Sequence, residues 1–213
     1  MTTPKILTLL TSVFLTASGW SPHDRYTWWL EIAPILVGFP FAVYYHRKYK
    51  ISNILLIFLF LHAVVLMIGG HYTYAEVPLF NWIRDIWGLQ RNHYDRVGHF
   101  TQGFVPALIA YEVISRKGLQ ASHRFTCFLS IAIALAVSAS YEIVEWWVSE
   151  ITNYFTGEGA TAFLGTQGDI WDTQWDMLMA LIGAVCSMIV VSKRLKSSLL
   201  DSAVSPSLNT EKR

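Results

Sequence analysis

Carboxylates and one histidine recur at helical spacing in three stretches of this chain. Asp95 and His99 are four residues apart, so a helix sets them on one face. Glu142 and Glu145, three apart, share a face for the same reason. Asp169, Asp172 and Asp176 step by three and four, again a single stripe. Oxygen-rich sites suit magnesium, calcium or manganese, and an added imidazole admits zinc or iron. Carboxylates and imidazole are also the usual general bases. The residue types divide into Glu142, Glu145 and His99 as catalytic groups and Asp95, His99, Asp172 and Asp176 as ligands of a divalent metal ion. Glu31, Asp169 and Arg96 are further candidates for the same pocket. No His-Glu-x-x-His or comparable zinc motif accompanies them, so the ion's identity stays open.

Each stripe also has a plainer explanation. Asp95, Asp172 and Asp176 stand near helix N-termini, where an aspartate caps the helix and meets the positive end of its dipole. Glu142 and Glu145 approach a helix C-terminus, where the dipole disfavours anions. They also repel each other, so a cation, a shared proton or an arginine has to compensate. Arg25, Arg84, Arg91 and Arg96 are the arginines on that side, and an arginine-held structural cluster competes with the metal reading.

The elements that position these groups are apolar helices. Of 213 residues, 53% are hydrophobic and 15% charged, against about 25% charged in soluble domains. Nine Trp and ten Tyr suit membrane interfaces. Six runs are apolar enough to span: 6–20, 28–45, 51–69, 97–114, 125–147 and 175–191. The expectation is an all-α, polytopic transmembrane bundle of about six spans, one domain over residues 1–196, with a disordered cytoplasmic tail from 197 to 213. The first run also fits a cleaved signal peptide, with Ala17-Ser18-Gly19 as a small-residue cleavage site. In the six-span arrangement twelve of the sixteen Lys and Arg residues fall on one side, which places both termini in the cytoplasm. Twelve of the fifteen acids, including Glu76, Glu150 and Glu158, fall on or near the other. The net charge of +1 says nothing about nucleic acid, but no basic block or RNA-binding motif appears, so no nucleic-acid partner is expected. The lipid bilayer and a lipid-linked small molecule are the partners this reading favours. Cys127 and Cys186 lie in apolar runs and read as small buried hydrophobes.

Other residues carry lesser signals. His62, near mid-span, reads as a helix-to-helix hydrogen bond or a proton relay. His71, after Gly69-Gly70, is a candidate for the pocket. Pro34, Gly38 and Pro40 predict a kinked second span beside Glu31. Glu112 and Arg116 read as an i,i+4 surface pair. Residues 81–88, with Trp82 and Trp87, read as an amphipathic interfacial segment. Gly165 and Gly168 predict an unusual loop backbone, and Gly183-Ala184 a close helix approach.

Several segments together resemble the YjdF-like family of bacterial inner-membrane proteins, a domain of unknown function. They are Tyr26-Thr-Trp-Trp-Leu-Glu31, Leu61–Gly70, Asp95-Arg-x-x-His-Phe100, Gln102-Gly-Phe-Val-Pro106, Tyr141-Glu-Ile-x-Glu-Trp146 and Gly165-Thr-Gln-Gly-Asp-x-Trp-Asp172 through Met177. The likeness covers roughly residues 20–190. More loosely, Asp95, Arg96, His99, Glu142, Asp176 and Gly183 are similar to the VanZ-like membrane proteins, whereas Glu145 replaces an expected Gln and Ala180 an expected Asn. The resemblance implies the fold, an inner-membrane location and the site positions, and no particular reaction. Three functional classes follow: a metal-dependent envelope enzyme acting on a lipid-linked or amphiphilic substrate, a transporter or proton/ion pathway, and a non-catalytic protein that binds a lipid or partner.

Overall fold

The computed structural model describes residues 2–118, 122–157 and 159–204. These form nine α-helices and one short 3-10 turn, Tyr74–Glu76, with no strand among the described residues. In chain order the helices are α1 (Thr3–Ser18), α2 (Arg25–Tyr49), α3 (Asn53–Tyr72), α4 (Pro78–Trp87), α5 (Tyr94–Arg116), α6 (His123–Thr156), α7 (Thr161–Leu164), α8 (Asp172–Val190) and α9 (Ser192–Val204). Local sequence starts several of them. Asp24 accepts the Thr27 N–H at 2.5 Å, Ser52 that of Leu55 at 3.2 Å and Ser122 that of Phe125 at 3.3 Å, each satisfying a donor that the first turn leaves free. The Thr27 backbone bond also holds the Asp24 carboxyl below its usual pKa.

Each of the six apolar runs falls on one helix. Four of them, α2, α3, α6 and α8, are long and apolar enough to cross a bilayer. The other two differ for separate reasons. α1 has 16 residues, just under the usual range of about 17–25. α5 has 23, but it carries Asp95, Arg96 and His99 in its first two turns. Those groups face protein: α5 is the most enclosed helix, packing against α3, α6 and α8. A helix surrounded by others need not be apolar.

Contacts at the two ends show that these helices alternate in direction. At one end α1 and α3 finish together, where His71 Nδ1 meets the Ser18 carbonyl at 2.9 Å and His23 N–H donates to the His71 carbonyl at 2.8 Å. His71 is therefore spent on α1 and does not join the carboxylates. At the other end α5 finishes beside α2. Arg116 donates to the carbonyls of Tyr49 at 3.0 Å and Lys50 at 2.9 Å. Glu112 accepts Ser52 N–H at 3.0 Å, Ser52 Oγ–H at 2.6 Å and Arg116 Nε–H at 2.8 Å. Of the pair expected on the surface, Glu112 is thus buried, only 1% exposed, and Arg116 half-buried. The pair closes the α2–α3 turn by capping both helices.

Two further expectations meet different outcomes. α4 is amphipathic as read, with Leu79, Trp82, Ile86 and Trp87 exposed. The tail expected to be disordered from Ser197 is helical as far as Val204, because α9 buries Leu195 and rests Leu199 on the core formed with Leu108, Tyr111 and Met188. Glu158 and residues 205–213 lie outside the described residues.

The tightest packing joins α5 to α8. A Cβ on Gly103 would stand 1.8 Å from the Ala180 carbonyl oxygen, and one on Gly183 would stand 2.0 Å from that of Phe100. Both neighbours are backbone, which cannot swing aside as a side chain can. The close approach read from Gly183-Ala184 is therefore present, with Gly103 as its counterpart on the facing helix. Gly103→Ala or Gly183→Ala will lower stability by about 1–3 kcal/mol or more, the usual cost of overpacking, read as a lower thermal midpoint in detergent. Gly38→Ala is the control, since nothing lies within 4 Å of its added Cβ. Equal behaviour of all three variants would refute the packing argument.

Candidate functional site

The end of the bundle where α5 and α8 begin collects most of the charged residues singled out in the sequence. Arg91 precedes α5, and Asp95, Arg96 and His99 follow on its first two turns. Asp172 opens α8 with Asp176 one turn on, and Asp169 stands in the preceding loop. The glycine-permitted approach of α5 to α8 lets short aspartates and long arginines meet. Arg91 contacts Asp172 at 2.5 Å, Asp95 at 3.4 Å and Asp169 at 3.6 Å. Arg96 contacts Asp172 at 2.7 Å, Asp95 and Asp169 at 3.4 Å each, and Asp176. Two planar forks of donors thus serve four aspartates.

The same arginine fixes the loop over this end. Arg91 donates to the carbonyls of Gly165 at 3.0 Å and Thr166 at 3.4 Å. Gln167 pairs reciprocally with the Asn92 backbone, at 2.9 and 2.8 Å. Gly165 and Gly168 have positive φ, as the sequence suggests, and that is where glycine costs least.

His99 stands between this network and α6. Its Nε2 faces Asp95 Oδ1 at 3.5 Å and Asp176 Oδ1 at 3.7 Å. Its Nδ1 lies 2.8 Å from Gln102 Oε1 and 3.4 Å from Glu142 Oε1. Ligand-type atoms of Asp95, His99 and Asp176 all lie within 4.8 Å of one another, and so do those of His99, Glu142 and Glu145. The second group contacts no arginine. Glu142 is 7% exposed, and its Oε1 is buried without a hydrogen-bond partner, a condition that calls for a physical explanation.

Glu31 reaches the cluster from α2. It is buried, and it stands within electrostatic range of Asp95, His99 and Tyr74. Tyr74 is placed by glycine: its ring fills the space at Gly69 of α3 and Gly98 of α5, where added Cβ atoms would come within 2.1 and 2.6 Å of it. Tyr141 of α6 approaches His99 edge-on, ring centroids 6.5 Å apart.

The structure therefore assembles Asp95, His99, Glu142, Glu145, Asp176, Arg96 and Glu31, and divides their work differently from the sequence reading. Asp172, taken there as a metal ligand, belongs to neither ligand-type group; its Oδ1 is shared by both guanidiniums. Asp169 likewise pairs with the arginines at the rim. Gln102, Tyr74 and Tyr141 were missing from the sequence-derived site, and Arg91 was named there only as one of four arginines able to hold the acids, although it sits four residues before Asp95. Gly69-Gly70 announces a close approach, but nothing in the sequence says that Tyr74 fills it.

A family model described as "Predicted membrane protein (DUF2238)" matches residues 3–197. The chain belongs to this family. The "Inner membrane protein YjdF" of Escherichia coli (strain K12) is 42% identical over 185 residues, 87% of each chain. This family is the one the sequence motifs resembled; the looser likeness to VanZ-like proteins gains nothing from the match. No solved structure matches. Every DUF2238 site residue described above lies inside the matched stretch.

Removing one partner from a buried charge network costs about 3–5 kcal/mol. Arg96→Ala, which leaves Asp176 without an arginine and Asp172 to Arg91 alone, will therefore strongly lower the thermal midpoint. Adding Asp176→Asn to Arg96→Ala will recover part of the loss in a double-mutant cycle. An Arg96→Ala protein as stable as the parent would contradict the network.

Proposed function

We propose that this DUF2238 protein is a six-span inner-membrane protein with both termini cytoplasmic. It holds a divalent metal at the external end of the bundle and uses it on a lipid-linked or amphiphilic substrate. The observation that carries the reading is Glu142 Oε1, buried, without a hydrogen bond, 3.4 Å from His99 and grouped with Glu145. A metal ion satisfies that oxygen and offsets two neighbouring carboxylates at once.

In this reading His99, Glu142 and Glu145 are the ligands. Asp95 and Asp176 orient the imidazole from its other nitrogen, as outer-sphere carboxylates do for metal-bound histidine. A metal so held would supply Lewis acidity or an activated water.

Depth supports the substrate class. At 1.5 Å per residue, Glu142 and Glu145 lie about 30 Å along α6 from His123, roughly the thickness of the hydrocarbon core. That is the depth at which lipids present their polar groups. Orientation is supported by the helix alternation together with the basic residues near the ends of α2, α5 and α8. His62 Nδ1 bonds Thr101 Oγ1 at 2.9 Å and joins α3 to α5, which accords with its reading as a helix-to-helix hydrogen bond.

Elemental analysis of the purified full-length protein tests the proposal. The parent will carry stoichiometric metal, and Glu145→Gln and His99→Ala will each lose it. A parent that stays metal-free after incubation with Mn²⁺ and Zn²⁺ removes the metal-enzyme reading.

A further inference from the structure

One buried hydroxyl behaves differently from its neighbours on α6. Ser138 Oγ is wholly buried, at 0% residue exposure, and has no hydrogen-bond partner. A serine inside a helix ordinarily returns its proton to a carbonyl one turn back. Thr126, Ser130 and Ser140 on the same helix do so, to Ser122, Thr126 and Ala136 at 3.2, 2.7 and 2.8 Å. Ser138 does not.

Its position gives the exception meaning. Ser138 is one turn before Glu142 on the buried face that Glu145 continues. Residues four apart on a helix are side-chain neighbours, so Ser138 lies beside Glu142, whose carboxylate also stands against His99 and Thr173. The two buried side-chain oxygens of α6 without a hydrogen bond are thus neighbours on one face. The helix α8, which packs on α6, carries small buried residues in Ala180 and Ala184.

We propose that Ser138 is the inner ligand of the cation site formed by His99, Glu142 and Glu145. The inference rests on the metal reading above and deepens it by naming the ion. One imidazole, two carboxylates and a neutral hydroxyl make a mostly hard, oxygen-rich set. Such a set suits Mn²⁺ with its higher coordination number, whereas zinc sites draw on Cys, His and carboxylate at four positions. Ser138 closes the site on the membrane-core side, and the remaining positions open toward Glu31 and Tyr141.

The test is metal affinity of the full chain in detergent, with Mn²⁺ followed by electron paramagnetic resonance and Zn²⁺ by competition. Ser138→Ala will weaken Mn²⁺ by about tenfold or more, the scale seen when a supporting group of a metal site is removed. Ser138→Cys will shift the preference toward Zn²⁺, because a thiolate favours the softer ion. Ser130→Ala, whose hydroxyl already has a carbonyl partner, will leave both affinities unchanged. Thermal unfolding of each variant confirms that the fold is retained. If the parent binds Mn²⁺ and both Ser138 variants bind it with unchanged affinity and selectivity, Ser138 is no ligand and this inference fails alone. If the parent binds neither ion, the metal reading fails and takes this one with it.

Discussion

Seven carboxyl groups gather at one end of a helical membrane bundle, within reach of two guanidiniums and one imidazole. Isolated charges are not tolerated near hydrocarbon, so much of the local structure is arranged to supply counter-charge. Arg91 and Arg96 each contact more than one aspartate. This sharing requires α5 and α8 to lie almost backbone to backbone. Gly103 and Gly183 grant that approach, and their missing side chains bear on the electrostatics as much as on the packing. The loop of residues 165–169 follows from the same requirement, since the Gly165 and Thr166 carbonyls accept from the two terminal nitrogens of Arg91.

Much of the fold was legible because the bilayer imposes a length and a polarity on each element. All six apolar runs correspond to helices, and α5 was found despite its charges because its later turns remain apolar. The misses share a cause. The sequence reading ends the fifth apolar run at residue 147 and expects a disordered tail from 197, yet α6 continues through residues 148–156 and α9 is tied down by Leu195. Glu112 and Arg116 were paired correctly and placed wrongly. Spacing along one helix reveals a neighbour at i+4, but not that the α2–α3 turn packs over the pair.

The site shows the same limit. Spacing exposed each stripe of acids, because three- and four-residue steps are intrinsic to one helix. Which stripe faces which depends on helix rotation and distance, and no single-sequence pattern encodes those. Hence Asp172 looked equivalent to Asp176, although the arginines occupy it from both sides. Tyr74 went unnoticed because the two glycines that seat it belong to different helices.

The resulting cluster has two chemically distinct sides. On the α8 side the carboxylates are saturated by arginine, whose charge is permanent and whose fork is rigid; such a network fixes geometry and offers little freedom to react. On the α6 side Glu142 and Glu145 have no arginine, and one of their oxygens has no hydrogen bond at all. An unmet buried carboxylate costs stability that evolution could have recovered with another arginine or an apolar residue. Retaining it beside a histidine already held in place from α5 and α8 makes sense if another charge visits that position. On the metal reading, the saturated side is the rigid wall beside which the unsaturated side holds its ion.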